Sequence, residues 1–395
     1  MDVSDHGGPL RTRDGGEQRV TPLELFFDLV YVFAVTQLSH LLLDHLSIRG
    51  ALETLFLLLA VWWAWVYTAW FTNWFDPDRL PVRLVLVAAM LASLLMSVAI
   101  PEAFDERALM FALAFVAIQV GRTAFAALAL YRTSHPLSGT FWRILAWLVA
   151  AGVLWVAGGL LEGGARYVLW LLALVVDYAG PLMRYRTPGL GSSRTEEWTI
   201  EGGHFAERCQ LFIIIALGES ILVTGTTFAE IEASAVAVLA FVVAFLGSVA
   251  LWWIYFSRST EAAREVFSSS EDPGRLGRSA YTYFHLPMVA GIIAIAAADE
   301  LTLAHPGEPG TLSSIALTLG GTALFLAGHA LFKWAVFGVL PWSHAVAVAA
   351  LMALIPGGLA IPTLALSGAA GVIVVGLAVW DTLAYRHMRS PRRAT

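Results

Sequence analysis

The sequence predicts an all-α integral membrane protein of about twelve transmembrane helices, arranged as two parallel six-helix halves with both termini cytoplasmic. Three observations carry this expectation. Charged residues make up 14% of the chain and hydrophobic residues 58%, against roughly 25% charged in an ordinary soluble domain. The apolar residues arrive in blocks of about twenty, the length that crosses a hydrocarbon core. Lys and Arg also fall on one side: with twelve spans and the N-terminus inside, 19 of the 24 lie in cytoplasmic segments and only Arg49, Arg107 and Arg166 lie outside. The other two, Arg122 and Arg208, sit within or at the edge of spans. Cationic loops resist translocation, so this bias sets the orientation in the cell (inner) membrane.

The same composition excludes a soluble enzyme, a disordered scaffold and a nucleic-acid binder, because the formal net charge is −6 and no basic tract interrupts the apolar blocks. A single cysteine, Cys209, excludes an intramolecular disulfide and a Cys-based metal cluster. No cofactor and no metal are expected. The expected partners are the lipid bilayer and a small solute or proton.

In chain order, residues 1–20 are polar and carry both signs of charge, which predicts a disordered cytoplasmic tail and no removable signal peptide. Spans follow at 22–45, 51–73, 81–100, 107–131, 141–160 and 166–184, making a first half over 21–184. A cytoplasmic linker covers 185–205. Spans at 206–228, 233–256, 278–300, 312–337, 344–361 and 364–386 make the second half over 206–386, and 387–395 is a basic tail. The division between the last two spans is the weakest, since Pro356 and Pro362 crowd a short apolar turn. Six spans per half is an even number, so both halves enter from the same side, as parallel repeats do. Matching Glu24 to Glu207, Trp62-Trp63 to Trp252-Trp253 and Arg83 to Arg278 gives offsets of 183, 190 and 195 residues. Chance resemblance among tryptophan-rich helices gives nearly as good an account of those matches.

Ionisable residues inside spans are the informative ones, each costing roughly 2.5–3.5 kcal/mol at a helix centre on insertion scales. Thr21-Pro22-Leu23-Glu24 reads as an N-cap with a proline at the first helical position and Glu24 closing a capping box. Asp28 lies one turn deeper on the same face, beyond reach of the cap. It is either an interhelical partner that fixes packing or a proton- or cation-responsive carboxylate. His204, Glu207 and Arg208 mark the cytoplasmic end of the seventh span as a polar network with Glu24, Arg208 snorkelling to the interface. Glu219 is twelve residues beyond Glu207, about 18 Å along a helix and near the midplane. Gly218 before it permits close helix approach, and Ser220 and Thr224 add hydroxyls.

Arg122 follows Gln119 and lies fifteen residues from Arg107, about 22 Å inward. Being always charged, it must be paired, with Glu219 and Asp28 as the candidate acids. Its partner could serve packing alone, or the group could bind an anionic substrate. Asp177, His285 and His329 are secondary candidates. A packed, singly hydrogen-bonded imidazole is the simplest account of His285, which precedes the helix-kinking Pro287. Tyr281 and Tyr283 are expected in the headgroup belt, as are Trp70 and Trp74, while Trp62, Trp63 and Trp65 suit core packing or an aromatic cavity wall.

Three segments together resemble the bacterial low temperature requirement A (LtrA) family. They are Thr21-Pro22-Leu23-Glu24-Leu25-Phe26-Phe27-Asp28-Leu29-Val30-Tyr31, the aromatic run Trp62 to Trp70, and His204-Phe205-Ala206-Glu207-Arg208 followed by Leu217-Gly218-Glu219-Ser220-Ile221-Leu222. The resemblance covers the chain from about Thr21 to Arg386. Where family members often carry a second basic or polar residue after the His-Phe-x-Glu-Arg stretch, Cys209 stands here, which weakens any role carried over to that position. The family name implies a link to growth in the cold and no particular reaction or substrate.

The leading functional expectation is a secondary transporter or permease for a small solute, with Glu219 or Asp28 carrying the coupling proton or cation and Arg122 meeting substrate. No nucleotide-binding motif is present to power a pump. One alternative is an enzyme acting on lipid at the cytoplasmic leaflet, with His204 and Glu207 as base and orienter. Against it, the chain lacks a Gly-x-Ser-x-Gly elbow and a His-Glu-x-x-His pair. Another alternative is a cold- or stress-response membrane component that moves nothing.

Overall fold

A chain in hydrocarbon has no water to satisfy its N–H and C=O groups, so apolar runs of this length fold as helices. The computed structural model describes residues 8–11, 18–193, 200–256 and 258–389, with backbone alone at 258–259 and 384–389. The rest of the expected N-terminal tail, part of the linker and the end of the basic tail lie outside the described residues. Among the described residues the structure is helical, with only isolated β-bridges such as Leu10 to Phe75 and Pro309 to Pro362.

The helices are α1 (Pro22–Asp44), α2 (Ile48–Trp74), α3 (Leu80–Ala99), α4 (Ala108–Val116), α5 (Arg122–Arg132), α6 (Ser138–Leu160), α7 (Gly163–Leu182) and α8 (Gly202–Glu230). They continue as α9 (Ala235–Tyr255), α10 (Arg258–Ser268), α11 (Pro273–Leu276), α12 (His285–Ala304), α13 (Leu312–Ile315), α14 (Gly321–Phe337), α15 (Trp342–Leu354) and α16 (Thr363–Arg389). Joined across short irregular turns, they give eleven helices among the described residues that are long and apolar enough to cross a membrane. The chain is a multi-pass membrane protein.

One expected span falls short. The segment predicted at 344–361 is α15 closed by a 3-10 turn at Ile355–Gly357, an apolar helix below spanning length. Pro356 has no N–H to continue the α-helical ladder, so after Leu354 the chain tightens into the 3-10 turn, with Ile355 still in helical backbone. A second difference lies between the spans expected at 233–256 and 278–300, where the connection holds a further helix, α10. Thr260, Ala263 and Phe267 are buried on one face of that helix, the spacing of an amphipathic helix rather than a linker.

Three π-helical turns interrupt the spans: Ala117–Gly121 between α4 and α5, Gly277–Tyr283 between α11 and α12, and Ala316–Gly320 between α13 and α14. Such turns widen the helix by one residue and occur often at functional sites.

The chain divides into two compact units. The first comprises Met1–Leu41, Glu53–Arg208 and Ser270–Arg275; the second comprises Leu42–Leu52, Cys209–Ser269 and Leu276–Thr395. In the first, α6 and α7 close on each other through Gly158, where an added Cβ would lie 2.4 Å from the Trp170 ring. The Trp170 indole donates to the Trp155 carbonyl at 2.9 Å. Leu80, Leu84, Val87 and Leu91 form an exposed stripe along α3, a lipid-facing surface. In the second unit, α12 and α14 cross at glycines. A Cβ on Gly291 would lie 2.6 Å from the Gly321 carbonyl oxygen and from the Phe325 backbone nitrogen, neither of which can rotate away. Gly291→Ala is therefore expected to destabilise the second unit by about 1–3 kcal/mol through overpacking. A thermal melt of the detergent-purified protein checks this, and an unchanged midpoint would mean the two helices separate freely.

Candidate functional site

In the first unit the start of α1 and the start of α8 are pinned by one polar network. Thr21 and Glu24 form the expected capping box: the Thr21 N–H and hydroxyl donate to Glu24 Oε2 at 2.8 and 3.0 Å, and the Glu24 N–H donates to Thr21 Oγ1 at 3.4 Å. The cap does not exhaust the carboxylate. Glu24 Oε1 accepts from His204 Nε2 at 2.9 Å and pairs with Arg208 Nη1 at 3.1 Å. Arg11 Nη2 reaches Oε2 at 3.0 Å. One turn deeper, Asp28 Oδ1 accepts from Arg208 Nη2 at 2.6 Å and from the Trp65 indole at 2.8 Å. Glu24, Asp28, His204 and Arg208 are all fully buried. Two carboxylates face two guanidiniums, so the cluster balances its charge. Asp28 Oδ2 and Arg208 Nε remain buried without a hydrogen-bond partner.

The protonation of His204 follows from its neighbours. Asn73 holds the backbone of Glu201 from both sides, its Oδ1 accepting from the Glu201 N–H at 2.9 Å and its Nδ2 donating to the Glu201 carbonyl at 2.9 Å. That clamp fixes the amide orientation, so Nδ2 also points a proton at His204 Nδ1, 3.2 Å away. Nδ1 accepts and Nε2 carries the hydrogen given to Glu24, which is the neutral Nε2–H tautomer, and Arg11 Nη2, 3.3 Å from Nε2, stands beside it as a second donor to Glu24. With both nitrogens committed, no lone pair is left to take a proton from a substrate. The Glu201 carboxylate in turn caps α8, accepting from the Gly203 N–H at 3.1 Å and from the His204 N–H.

Several expectations change here. Arg208 does not snorkel, because two acids one turn apart on α1 supply a fork that its guanidinium fills. Glu207 stays outside the network, its Oε2 buried without a partner. Trp70 and Trp74 are buried rather than set in a lipid-facing girdle, packing edgewise or tilted on Phe205 and Phe141 at 5.0 and 5.5 Å. Within the stretch expected to be a disordered tail, residues 8–11 are tied to the end of α2. The Arg11 N–H donates to the Trp74 carbonyl and its Nε to the Thr72 carbonyl, at 2.9 and 2.8 Å.

Arg122 occupies a separate place in the first unit, at the π turn. It is buried, and no carboxylate among the described residues meets it. Nη1 donates to Thr68 Oγ1 at 2.7 Å and to the Ala64 carbonyl at 3.3 Å, while Nη2 donates to Gln119 Oε1 at 2.6 Å. Its guanidinium carbon lies 5.5 Å from the Tyr67 ring centre, and the Tyr67 hydroxyl is hydrogen-bonded to that of Tyr185. The Gln119 amide nitrogen is buried with no partner. The expected pairing with Asp28 does not form, since Asp28 is taken by Arg208 and Trp65. Among the described residues Arg122 makes no ion pair.

Asp177, also in the first unit, accepts from the Trp155 indole at 2.9 Å. Trp155→Phe leaves that buried carboxyl short of its donor and is expected to cost about 1–3 kcal/mol. The drop should appear in a chemical or thermal melt and shrink when Asp177→Leu is added; equal losses in the single and double variants would contradict the account.

The second unit holds the remaining candidates. Glu219 is buried on α8. Ser220 beside it donates to Asp299 Oδ2 at 3.1 Å and lies 2.9 Å from Ser248 Oγ. His285 receives the Tyr255 hydroxyl at Nε2, 2.7 Å, and its Nδ1 lies 3.0 Å from the Ala280 carbonyl. Tyr281, expected in the headgroup belt, is buried and stacks on His285. His329 Nδ1 lies 2.8 Å from His344 Nε2, and Asp381 accepts from Lys333 at 2.7 Å and from Ser343 at 2.8 Å. Among the described residues no three His, Cys, Asp or Glu side chains converge as metal ligands.

Sequence reasoning missed Arg11, Asn73, Trp65 as a hydrogen-bond donor, and Asp299. Asp299 carried a usable signal, being an acid inside the expected ninth span. Arg11 and Asn73 carried none, since Arg11 reads as one more residue of a polar tail and the Asn73 partners lie more than a hundred positions away.

Comparison with known proteins adds the relationships. The profile of the Bacterial low temperature requirement A protein (LtrA) matches residues 19–379. The chain is 40% identical over 392 residues to the uncharacterized protein RA0937 of Rhizobium meliloti (strain 1021), covering 98% of this chain and 95% of that one. No solved structure matches. A profile spanning nearly the whole chain, over the same Thr21–Tyr31 and His204–Arg208 segments that build the buried network, settles the relationship: the chain belongs to the bacterial low temperature requirement A family.

Proposed function

We propose that the protein is a secondary transporter of the inner membrane that moves a small anionic solute, coupled to a proton or cation through buried carboxylates. The observation behind this reading is Arg122, a guanidinium buried within an apolar span whose hydrogen bonds, among the described residues, all go to neutral oxygens. A permanent cation at that depth costs roughly 2.5–3.5 kcal/mol. A site that meets an anion only during the transport cycle accounts for that cost, and the unpartnered Gln119 amide supplies a further donor.

In this reading the chain is built from two parallel six-helix halves with both termini cytoplasmic, and α15 with the turn after it completes the twelfth crossing. The heptapeptides around two π turns support the duplication. Ala117-Ile118-Gln119-Val120-Gly121-Arg122-Thr123 and Ala316-Leu317-Thr318-Leu319-Gly320-Gly321-Thr322 share Ala, Gly and Thr at the same places and the same local backbone. They stand 199 residues apart, continuing the rising series of offsets of 183, 190 and 195. The lipid-enzyme alternative has less behind it, because His204 has no free nitrogen.

The test uses everted membrane vesicles carrying an acridine-orange pH gradient and a panel of carboxylates and inorganic anions. At least one anion is expected to dissipate the gradient in vesicles with the wild-type protein. Glu219→Gln should fold, run as a single species in detergent, and lose that response. Identical responses from wild-type, Glu219→Gln and empty vesicles across the whole panel would overturn the reading.

A further inference from the structure

We propose that the second unit binds one monovalent metal cation of the size of Na+ beside Asp299. A cavity of ≈ 40 Å³ lies among α9, α12, α14 and α16, and its polar lining is Asp299, Thr318, Thr322 and Ser367. The remaining lining is apolar, and no basic side chain contributes to it. This volume has room for a single ion with a few waters.

The hydrogen atoms around the cavity are already directed elsewhere, which makes its oxygens acceptors. Thr322 donates its hydroxyl hydrogen to the Thr318 carbonyl at 2.6 Å, so its oxygen can only accept from the cavity it lines. The Ser220 hydroxyl hydrogen goes to Asp299 Oδ2, so Ser248 donates to Ser220 and the chain of hydroxyls runs toward the carboxylate. Among the described residues the one hydrogen bond to the Asp299 carboxyl is that of Ser220 to Oδ2, which leaves Oδ1 as an acceptor. Ser367 and Thr302 share one hydrogen bond at 3.0 Å, which leaves oxygen lone pairs on both. Thr318 lies in the π turn Ala316–Gly320, where the shift from i→i+4 to i→i+5 pairing loosens a backbone carbonyl from the helix ladder.

One carboxylate, several neutral oxygens and an interrupted helix match the chemistry by which membrane proteins hold Na+ at broken helices. A single negative charge does not balance a divalent ion, which draws on more than one carboxylate. A cation also answers an energetic problem, because among the described residues no Lys, Arg or His meets Asp299 in this apolar setting. The matching π turn of the first unit carries Gln119 and Arg122 where this one carries Thr318 and Gly321. One scaffold is thus furnished for an anion and the other for a cation.

The proposal goes beyond the transport reading and does not depend on it, since equilibrium binding is measured without flux. The experiment is 22Na+ retention by the detergent-purified full chain in choline chloride, by scintillation proximity, beside thermal melts in NaCl and in choline chloride. The expected result is saturable binding of one Na+ per chain, competed by Li+ and not by choline, with a higher melting temperature in NaCl. Asp299→Asn keeps an acceptor for Ser220 and should weaken binding by roughly tenfold or more and abolish the NaCl shift. Ser367→Ala, which keeps the charge, should weaken binding by less and serves if Asp299→Asn does not fold. Absence of saturable 22Na+ retention by the wild-type protein, or retention undiminished in both variants, overturns the proposal and leaves a protonated Asp299 beside water. Loss of anion response with Na+ binding intact would sink the transport reading alone.

Discussion

Arg208→Met is expected to destabilise the protein by about 3–5 kcal/mol, enough to remove the monodisperse species in detergent at room temperature. The guanidinium is the shared partner of two buried acids, reaching Glu24 at 3.1 Å and Asp28 at 2.6 Å. Removing it leaves Asp28 with the Trp65 indole alone and a negative charge that neither water nor another cation reaches. Glu24 suffers less, because Arg11 and His204 still hold it. The loss should therefore be recovered in large part by Asp28→Asn placed on the Arg208→Met background. Asp28→Asn also exchanges an acceptor for a neutral amide whose oxygen still suits Trp65. Arg208→Lys should fall between, because one ammonium cannot reproduce the fork that meets both carboxylates at once. The stability of the three variants orders the argument. If Arg208→Met and the double variant melt together, the charge on Asp28 is not what Arg208 answers.

That network also marks where the sequence stopped being informative. Hydropathy locates the helices because each apolar run must close its own backbone hydrogen bonds, a local requirement. Pro356 shows the limit of even that, since a short apolar run with a proline near its end has two readings until its length in space is known. The capping box of Thr21 and Glu24 was legible because both partners lie within one turn. The partners of the same Glu24 across the unit, Arg11 and His204, were only half legible: His204 stood out as a polar residue in an apolar neighbourhood, and Arg11 looked like any residue of a polar tail. Arg122 gave the clearest failure. Its need for an acid followed from charge alone, and charge alone does not foresee that Thr68, Ala64 and Gln119 would supply neutral oxygens instead. Ser220 was singled out beside Glu219, while the acid it actually serves, Asp299, lies 79 positions further along the chain.

Arg122 should behave in the opposite sense to Arg208, and the comparison separates architecture from function. Arg122→Leu removes a buried cation that no acid among the described residues balances, so none of those carboxylates is orphaned by its loss. The hydroxyl of Thr68 and the amide of Gln119 lose a donor, at about 1 kcal/mol each. Against that stands relief from the desolvation of the guanidinium, several kcal/mol even after relaxation. The net expectation is a melting temperature unchanged or raised, by up to about 1–2 kcal/mol of stability, together with loss of the anion response in everted vesicles. Arg122→Lys should keep the fold and lose most of the response, because a point charge does not hold Thr68 and Gln119 in the spread that the planar guanidinium imposes. Residues kept for packing lower stability when removed. A residue that the fold is better off without, and that is held at such depth, is held for what passes it. If Arg122→Leu instead collapses the protein as Arg208→Met does, Arg122 belongs to the architecture, and the case for an anionic substrate loses its support.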